Sequence, residues 1–316
     1  MAGQAYGLSR AERKLGLTSD VAVFAPSGYG YGFDIDIGAR ATDSLWRQFS
    51  RRLSFLREAV DRYDLFHFNF GQTILSIRRF GRVVDELAWL RRRGKTILFT
   101  YQGSDIRGGG GVREKAAHRS LRYADRVFYQ NPDLRHWLPG ASFLPYAAVD
   151  LSAIRPTPLP ERDELVVAHA PTDRVIKGTQ HVIEAVDALR DEGLAIRLDL
   201  IEGVTRDVAL ERLAAADLLV DQLLLGWYGT VAVEAMALGR PVVSYICEDE
   251  PEDNPFGAEL PIVRTTPGTL VEDLRVVAAD RVRLQQLGDA GRSFVEHRHD
   301  PVSIARQALA GLVPLS

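Results

Sequence analysis

The chain has 316 residues, so two domains of roughly 150 residues are expected. With 46% apolar and 26% charged residues it can bury a large core, and its net charge of −3 excludes a global basic field, so no nucleic-acid partner is expected. The single Cys247 excludes an intrachain disulfide framework and a cysteine-based zinc site, and it fits a reducing compartment.

In chain order, residues 8–16 read as a helix ending in Gly, with a strand at 21–25 after it. A helix that feeds a strand in an α/β sheet normally has a strand before it. Only four residues stand ahead of residue 5, so the first strand of this domain is expected to be missing. Leu45, Phe49, Leu53, Leu56 and Val60 form one stripe of a helix. Residues 64–70 are a strand, Val83, Val84, Leu87 and Leu90 mark a helix ending at Arg93-Gly94, and 96–100 is a buried strand. A helix at 114–123, a strand at 126–129, a short helix at 132–137 and an extended piece at 143–145 follow. This alternation predicts a mostly parallel sheet with helices on both faces.

Residues 155–162 hold three prolines and are the best linker in the sequence. The expected organisation is a first domain over 1–154, the linker, a second domain over 163–300, and a C-terminal helix over 301–316 packing back on the first domain. The second α/β series has a strand at 165–168, a helix striped by Val182, Ile183, Val186 and Leu189, and an alternating strand at 196–200. A helix at 208–216 leads into residues 217–246, which read as strand, loop, helix, turn and strand. There Gly239 and Arg240-Pro241 stop the helix, and Thr230 and Glu234 share one of its faces. Residues 268–298 are helical and charged.

Ligands of open α/β sheets bind outside the carboxyl ends of the strands. Those ends carry His67 and Asn69, then Gln102, Ser104 and Asp105, then Gln130 and Asn131 in the first half. In the second half they carry His169, Glu202, Asp221 and Gln222. Arg174 and Lys177 lie three apart beside a helix start near Gly178, and the amides of Gly229 and Thr230 lie at another. Two cations and two free amides suit a diphosphate, and Glu234, one turn on, suits a hydroxyl. The four glycines at 108–111 lack the Gly-Lys-Ser/Thr ending of a phosphate loop and read as a mobile lid or interdomain loop. The acidic run 248–253 has no regular ligand spacing and reads as a solvated loop before a divalent-metal or cationic-acceptor site. No apolar run reaches the length of a membrane span and no signal-peptide core follows Met1, so the cytoplasm is the expected location, with docking at the inner membrane face still compatible.

Arg174-Val175-Ile176-Lys177-Gly178 resembles the Arg-x-x-Lys-Gly donor-phosphate motif of the GT-B glycosyltransferases, and within them of glycosyltransferase family 4. Residues 229–243, with Glu234-Ala235-Met236-Ala237-Leu238-Gly239-Arg240-Pro241-Val242-Val243, resemble that family's Gly-x(4)-Glu-Ala-Met-Ala-x-Gly-x-Pro-Val-Val segment. Residues 100–105 and 144–150 are weaker echoes, and Gly3 looks like the remnant of the family's first glycine-rich loop. The resemblance implies two Rossmann-like domains facing across a cleft, a nucleoside-diphosphate sugar held by the second, and a glycan, lipid-linked or small acceptor held by the first. It implies transfer of a hexose with retention and no metal or other cofactor. Arg174 and Lys177 would neutralise the leaving diphosphate, with Gln102 and Asp105 the other candidates at the reacting centre. Gly229, Thr230, Glu234, Tyr228, His169, Asp221 and Gln222 would line the donor, and Gly3, Asn69 and Gln102 the acceptor. The family has a Glu eight residues before the position of Glu234; here Gly226 stands there, so Asp221 or Gln222 would serve instead. Gln102 replaces a His common in the family. Two other readings stay open: a non-catalytic nucleotide-sugar or glycan-binding partner of a glycosyltransferase, and a GT-B-fold sugar-nucleotide epimerase.

Overall fold

A computed structural model describes residues 3–79, 82–107 and 111–315. The chain divides into two units: residues 1–27, 31–145 and 302–316 form the first, and residues 28–30 and 146–301 the second. The tetraglycine stretch expected as a lid lies, except for Gly111, outside the described residues.

The first unit opens with α1 (Gln4–Lys14), entered through Gly3 at φ 71°. Two short strands, β1 (Ala22–Val23) and β2 (Ile35–Asp36), pair in parallel. Helix α2 (Leu45–Arg62) starts at Ser44, whose hydroxyl accepts the Arg47 amide, and it buries Leu56, Ala59 and Val60. Strand β3 (Leu65–Asn69) follows, alternating buried Phe66 and Phe68 with half-buried Leu65, His67 and Asn69. The chain leaves it through two left-handed residues, Phe70 at φ 62° and Gly71 at φ 57°.

The helix expected from Val83 onward begins only at α3 (Leu87–Arg92). Residues before it form an antiparallel hairpin of β4 (Ile77–Arg79) and β5 (Arg82–Val84), with Arg79 opposite Arg82. Val83 and Val84 are β-branched and favour the pleated strand over the helix. Then come β6 (Thr96–Tyr101), α4 (Val112–Tyr123), β7 (Arg126–Tyr129), a 3₁₀ turn at Pro132–His136 and β8 (Ser142–Phe143). Strands β3, β6, β7 and β8 make one parallel sheet in that order, with β3 at its edge. Its core holds Leu56, Val60, Phe66, Phe68, Leu90, Ile97 and Phe99.

The second unit is a five-stranded parallel sheet. Its elements are β9 (Leu165–His169), α5 (Arg174–Lys177), α6 (Thr179–Asp191), β10 (Ile196–Leu200), α7 (Arg206–Ala215), β11 (Leu218–Val220), α8 (Thr230–Ala237), β12 (Val242–Ser244) and β13 (Val263–Arg264). The charged stretch 268–298 breaks into α9 (Leu270–Ala278) and α10 (Arg281–Arg298), because the Asp280 carboxylate caps the Arg283 amide. The strand order is β10-β9-β11-β12-β13. Counted along this unit, that is 2-1-3-4-5, a doubly wound order whose connections reverse direction between β9 and β11. Finally α11 (Pro301–Leu309) returns to the first unit, where the Arg126 guanidinium donates to the carbonyls of Gln307 and Ala308 at 3.2 Å each.

The Pro-rich stretch 155–162, expected as the linker, is hydrogen-bonded to the second unit. The Thr157 amide donates to the Leu238 carbonyl at 3.2 Å, and Arg240 donates to the Pro158 carbonyl at 3.0 Å. Asp217, fully buried, collects Arg162 at 2.7 Å and Arg281 at 3.2 Å. Proline removes amide donors but leaves carbonyls free to accept, and buried arginines use them. Among the described residues no helix is long and apolar enough to cross a membrane.

Helix α8 ends as its sequence predicts. Gly239 is left-handed at φ 75°, its amide donates to Met236 and that of Arg240 to Ala235, which closes the last turn. Helix α10 lies directly on this corner: a Cβ placed at Gly288 would stand 2.2 Å from the Gly239 carbonyl oxygen. Gly→Ala inside a helix normally stabilises by about 0.5–1 kcal/mol. Here overpacking wins, and Gly288→Ala should destabilise by about 1–3 kcal/mol. The check is the urea midpoint; a raised midpoint would contradict the packing.

Candidate functional site

The carboxyl ends of β9 and β11 flank the switch point of the second sheet, where a doubly wound fold places its ligand crevice. At its centre is Asp221, directly after β11 and almost wholly buried. One carboxylate oxygen accepts the Lys177 ammonium at 2.6 Å, and the other accepts the Gly229 amide at 2.5 Å. The resemblance offered Asp221 as a substitute sugar contact; its two oxygens are instead engaged with the phosphate-motif lysine and the amide before α8. Gly229 packs tightly, since a Cβ there would sit 3.0 Å from Lys177 Nζ.

Lys177 closes α5, a four-residue helix that the sequence reading passed over. It exists because the Asp173 carboxylate accepts the amides of Val175 and Ile176 at 2.9 and 3.0 Å. Gly178 follows at φ 75° and turns the chain into α6. Arg174, at the start of α5, is exposed and holds Glu202 in a bidentate pair at 2.8 and 2.5 Å. The guanidinium keeps the Glu202 carboxyl below its usual range.

Glu234 stands one turn into α8, 6% exposed, and its Oε1 accepts Arg206 Nε at 2.6 Å. Burial raises its pKa, and Arg206 opposes that shift. Nη2 of Arg206 is buried with no hydrogen-bond partner among the described residues. Sequence reasoning missed Arg206. A signal was present, since a carboxylate buried in a helix demands a cation nearby. Thr230 is half-buried at the first position of α8.

Three of the expected donor residues turn inward. His169 is fully buried; its Nδ1 bonds the Val220 carbonyl at 2.7 Å and its Nε2 the Thr179 hydroxyl at 2.9 Å. A carbonyl only accepts, so Nδ1 carries the proton and the ring is spent on joining β9, β11 and α6. The side chain of Gln222 donates to the Trp227 carbonyl and braces the loop. Tyr228 is a core aromatic whose hydroxyl meets His299 Nε2 at 2.9 Å, while His299 Nδ1 donates to the Tyr146 carbonyl at 2.9 Å. Strand ends look alike in sequence whether their polar groups face a ligand or tie the loop.

Gly226 also has a physical reason. A Cβ there would lie 2.5 Å from the Cys247 Cβ, and the Cys247 amide donates to the Gly226 carbonyl at 3.0 Å. The chain runs hard against the loop after β12, so no carboxylate fits at this position. That loop contains the acidic run: Glu248 pairs with Arg264 at 2.8 Å, and the Asp253 side chain accepts the Glu250 amide at 2.9 Å. Among the described residues no group of three or more His, Cys, Asp or Glu side chains stands as a metal site.

In the first unit the expected residues gather at the carboxyl edge of the sheet. Asp105, buried, accepts the amides of Gln102 at 3.0 Å and Gly103 at 2.7 Å, so it shapes the loop after β6. Burial raises its pKa against those amides. Asn69 Oδ1, Gln102 Nε2 and Gln130 Oε1 stand at the carboxyl ends of three neighbouring strands, and each is buried without a hydrogen-bond partner among the described residues. Native proteins leave few such atoms unsatisfied, and a row of them is a place for an external polar group. Gly3, at the entrance to α1, lines a cavity in this unit together with Asn69.

No known family pattern matches the sequence, and no curated protein was found to match it. Solved structures do match. A sucrose-phosphate synthase from Thermosynechococcus elongatus superposes with a TM-score of 0.66 at 19% identity, over 95% of this chain and 89% of that one. A putative UDP-N-acetylglucosamine 2-epimerase from Listeria monocytogenes gives 0.58 at 17% identity, over 98% and 92%. WaaG, a glycosyltransferase involved in lipopolysaccharide biosynthesis, gives 0.55 at 14% identity, over 97% and 95%. The chain is thus an α/β protein with the GT-B fold, built from two Rossmann-like domains as its sequence resemblance implied.

Two measurements test this geometry. Gly226→Ala should cost about 1–3 kcal/mol by driving a methyl into Cys247, and Gly226→Ala/Cys247→Gly should recover much of it; an additive double mutant would contradict the contact. His299 is neutral when folded, its pKa lowered by burial to about 4 from 6.5. Above the unfolded value it has no effect on stability. As pH falls from 6.5 towards about 4 the unfolded chain takes up a proton that the folded one refuses, and stability drops. The slope is up to about 1.4 kcal/mol per pH unit. Urea midpoints between pH 7 and 4.5 should fall less steeply in His299→Asn, although that variant starts lower; equal slopes would mean that His299 is not held neutral.

Proposed function

We propose that the chain is a glycosyltransferase that moves a hexose from a nucleoside-diphosphate sugar to a glycan, lipid-linked or small-molecule acceptor, with retention and without a metal. The observation that carries this reading is the meeting of Lys177, the Gly229 amide and Asp221 at the switch point of the second sheet. Lys177 has three donors and spends one on Asp221, which aims the ammonium and leaves two protons for phosphate oxygens. Arg174 adds a second cation, and the amides at the start of α8 face negative charge favourably. Together they stabilise the diphosphate as it leaves, an electrostatic role. Glu234 accepts ribose hydroxyls, with Arg206 bonded to its Oε1. The unpaired groups of Asn69 and Gln102 meet acceptor hydroxyls, and Gly3 and the Asp105 loop complete that side.

The donor assignment is tested by calorimetric titration with UDP, ADP and GDP and their sugars. Lys177→Ala and Glu234→Gln should each weaken nucleotide binding by about 1.5–3 kcal/mol, the scale of a charged hydrogen bond. Unchanged affinity in both would overturn the assignment. A second reading rests on the likeness to the epimerase: conversion of a nucleotide sugar by the chain alone, with no acceptor present, would establish that reading and exclude transfer. The packing of Gly226 against Cys247 favours a third, a non-catalytic sugar-nucleotide binder, which would bind donor and turn nothing over with any acceptor.

A further inference from the structure

The loop after β10 reaches two charged groups of the site at once. Glu202, on this loop, holds Arg174 of α5, and Arg206, at the first position of α7, holds Glu234 of α8. Helices α7 and α8 both begin at the carboxyl edge of the second sheet, where ligands bind, and they pack against one another.

Stability alone does not account for Arg206. It is a cation at the positive end of α7, where the helix dipole favours an anion such as its neighbour Asp207. Its Nη2 is buried and has no hydrogen-bond partner among the described residues. An arginine on a carboxylate commonly closes a two-pronged pair, Nε to one oxygen and Nη2 to the other. Arg174 does so on Glu202, at 2.8 and 2.5 Å. Arg206 does not. Only its Nε is bonded, to Glu234 Oε1 at 2.6 Å, and Oε2 takes no hydrogen bond among the described residues.

The open prong leaves a donor and an acceptor as near neighbours. Nη2 shares its carbon with Nε, and Oε2 shares its carbon with Oε1, so the two flank one short hydrogen bond. An anion would be repelled by the Glu234 carboxylate and a cation by the guanidinium. Hydroxyls both donate and accept, and two of them on adjacent carbons can take one partner each.

We propose that Arg206 is a specificity residue for the ribose of the donor, a role that rests on the nucleoside-diphosphate reading above. Glu234 Oε2 accepts from one hydroxyl of the ribose diol, and Arg206 Nη2 donates to the other. The loop after β10 then links recognition of the ribose to the setting of Arg174 at the diphosphate, because it carries both Glu202 and Arg206. A nucleotide that lacks either hydroxyl leaves one of these groups unpaired, which is how a polar site rejects an analogue without the hydroxyl it bonds.

The test is calorimetric titration of the full chain with UDP, ADP and GDP and with the 2′-deoxy and 3′-deoxy form of each. Wild type should bind the ribonucleotide roughly tenfold to a hundredfold more tightly than either deoxy form, the scale of a hydrogen bond to a charged group. Arg206→Lys keeps a cation for Glu234 but has no fork. In that variant the preference over one deoxy form should nearly vanish and the preference over the other should persist, while Glu234→Gln should lower the second. A ratio taken within one variant cancels any loss of folded protein. A wild type that binds ribo and deoxy forms equally would overturn the role without any variant. So would an Arg206→Lys chain whose two preferences stay as in wild type or fall together, the mark of a counterion that only holds Glu234 in place. In those cases a nucleotide still binds and the donor reading stands. Binding of none of the nucleotides would overturn the donor reading and this role with it.

Discussion

The buried carboxylate of Asp221 is the constraint on which the second unit's site depends. It sits where the connections of the sheet reverse, and it is shared between a lysine ammonium and a backbone amide. Taking a charge out of water costs several kcal/mol, and only close, well-aligned partners return it. That requirement draws three segments together: the end of β11, the close of α5, and the residue before α8. Gly229 keeps this corner uncrowded, because its amide approaches close to where the ammonium stands. An isolated strand end with a solvated Asp would impose none of this.

The other charges of the site follow the same rule. Arg174 is paired with Glu202 and Arg206 with Glu234, so each candidate ligand contact has a counterion before anything binds. Pairing fixes rotamers, and a ligand meets groups that need little reordering. A second consequence is that charge is balanced locally: three cations face three carboxylates. A diphosphate would therefore compete for hydrogen bonds with carboxylates already present, at the Gly229 amide as well as at Lys177 and Arg174.

Much of this was legible in the sequence. The alternation of strands and helices, the stop at Gly239 and the presence of two halves of similar build all rest on local chemistry. Short edge strands such as β2 and β13 were not legible, since two residues carry no period. The hairpin of β4 and β5 hid behind apolar residues that also fit a helix stripe. Site residues divided on a different line. Lys177 and Glu234 lie at the switch point of the second sheet or one turn beyond it. His169, Gln222 and Tyr228, equally polar in sequence, are consumed by carbonyls and by one another. A side chain's partner is set by the segment packed beside it, which lies some fifty residues away for His169 (β11) and seventy-one for Tyr228 (the end of α10). The carbonyls of the Pro-rich stretch likewise serve arginines distant in sequence.

The return of α11 gives the two units different histories. The second unit is made from one nearly unbroken run of chain, whereas the first is assembled from both ends of the described sequence. During synthesis a domain folds as its residues emerge. The second unit can close on its own run, but β7 waits for α11, because the Arg126 guanidinium finds the carbonyls of Gln307 and Ala308 only when α11 has emerged. The first unit is thus completed after the second, and a ribosome paused inside the second unit would hold a first sheet still lacking α11.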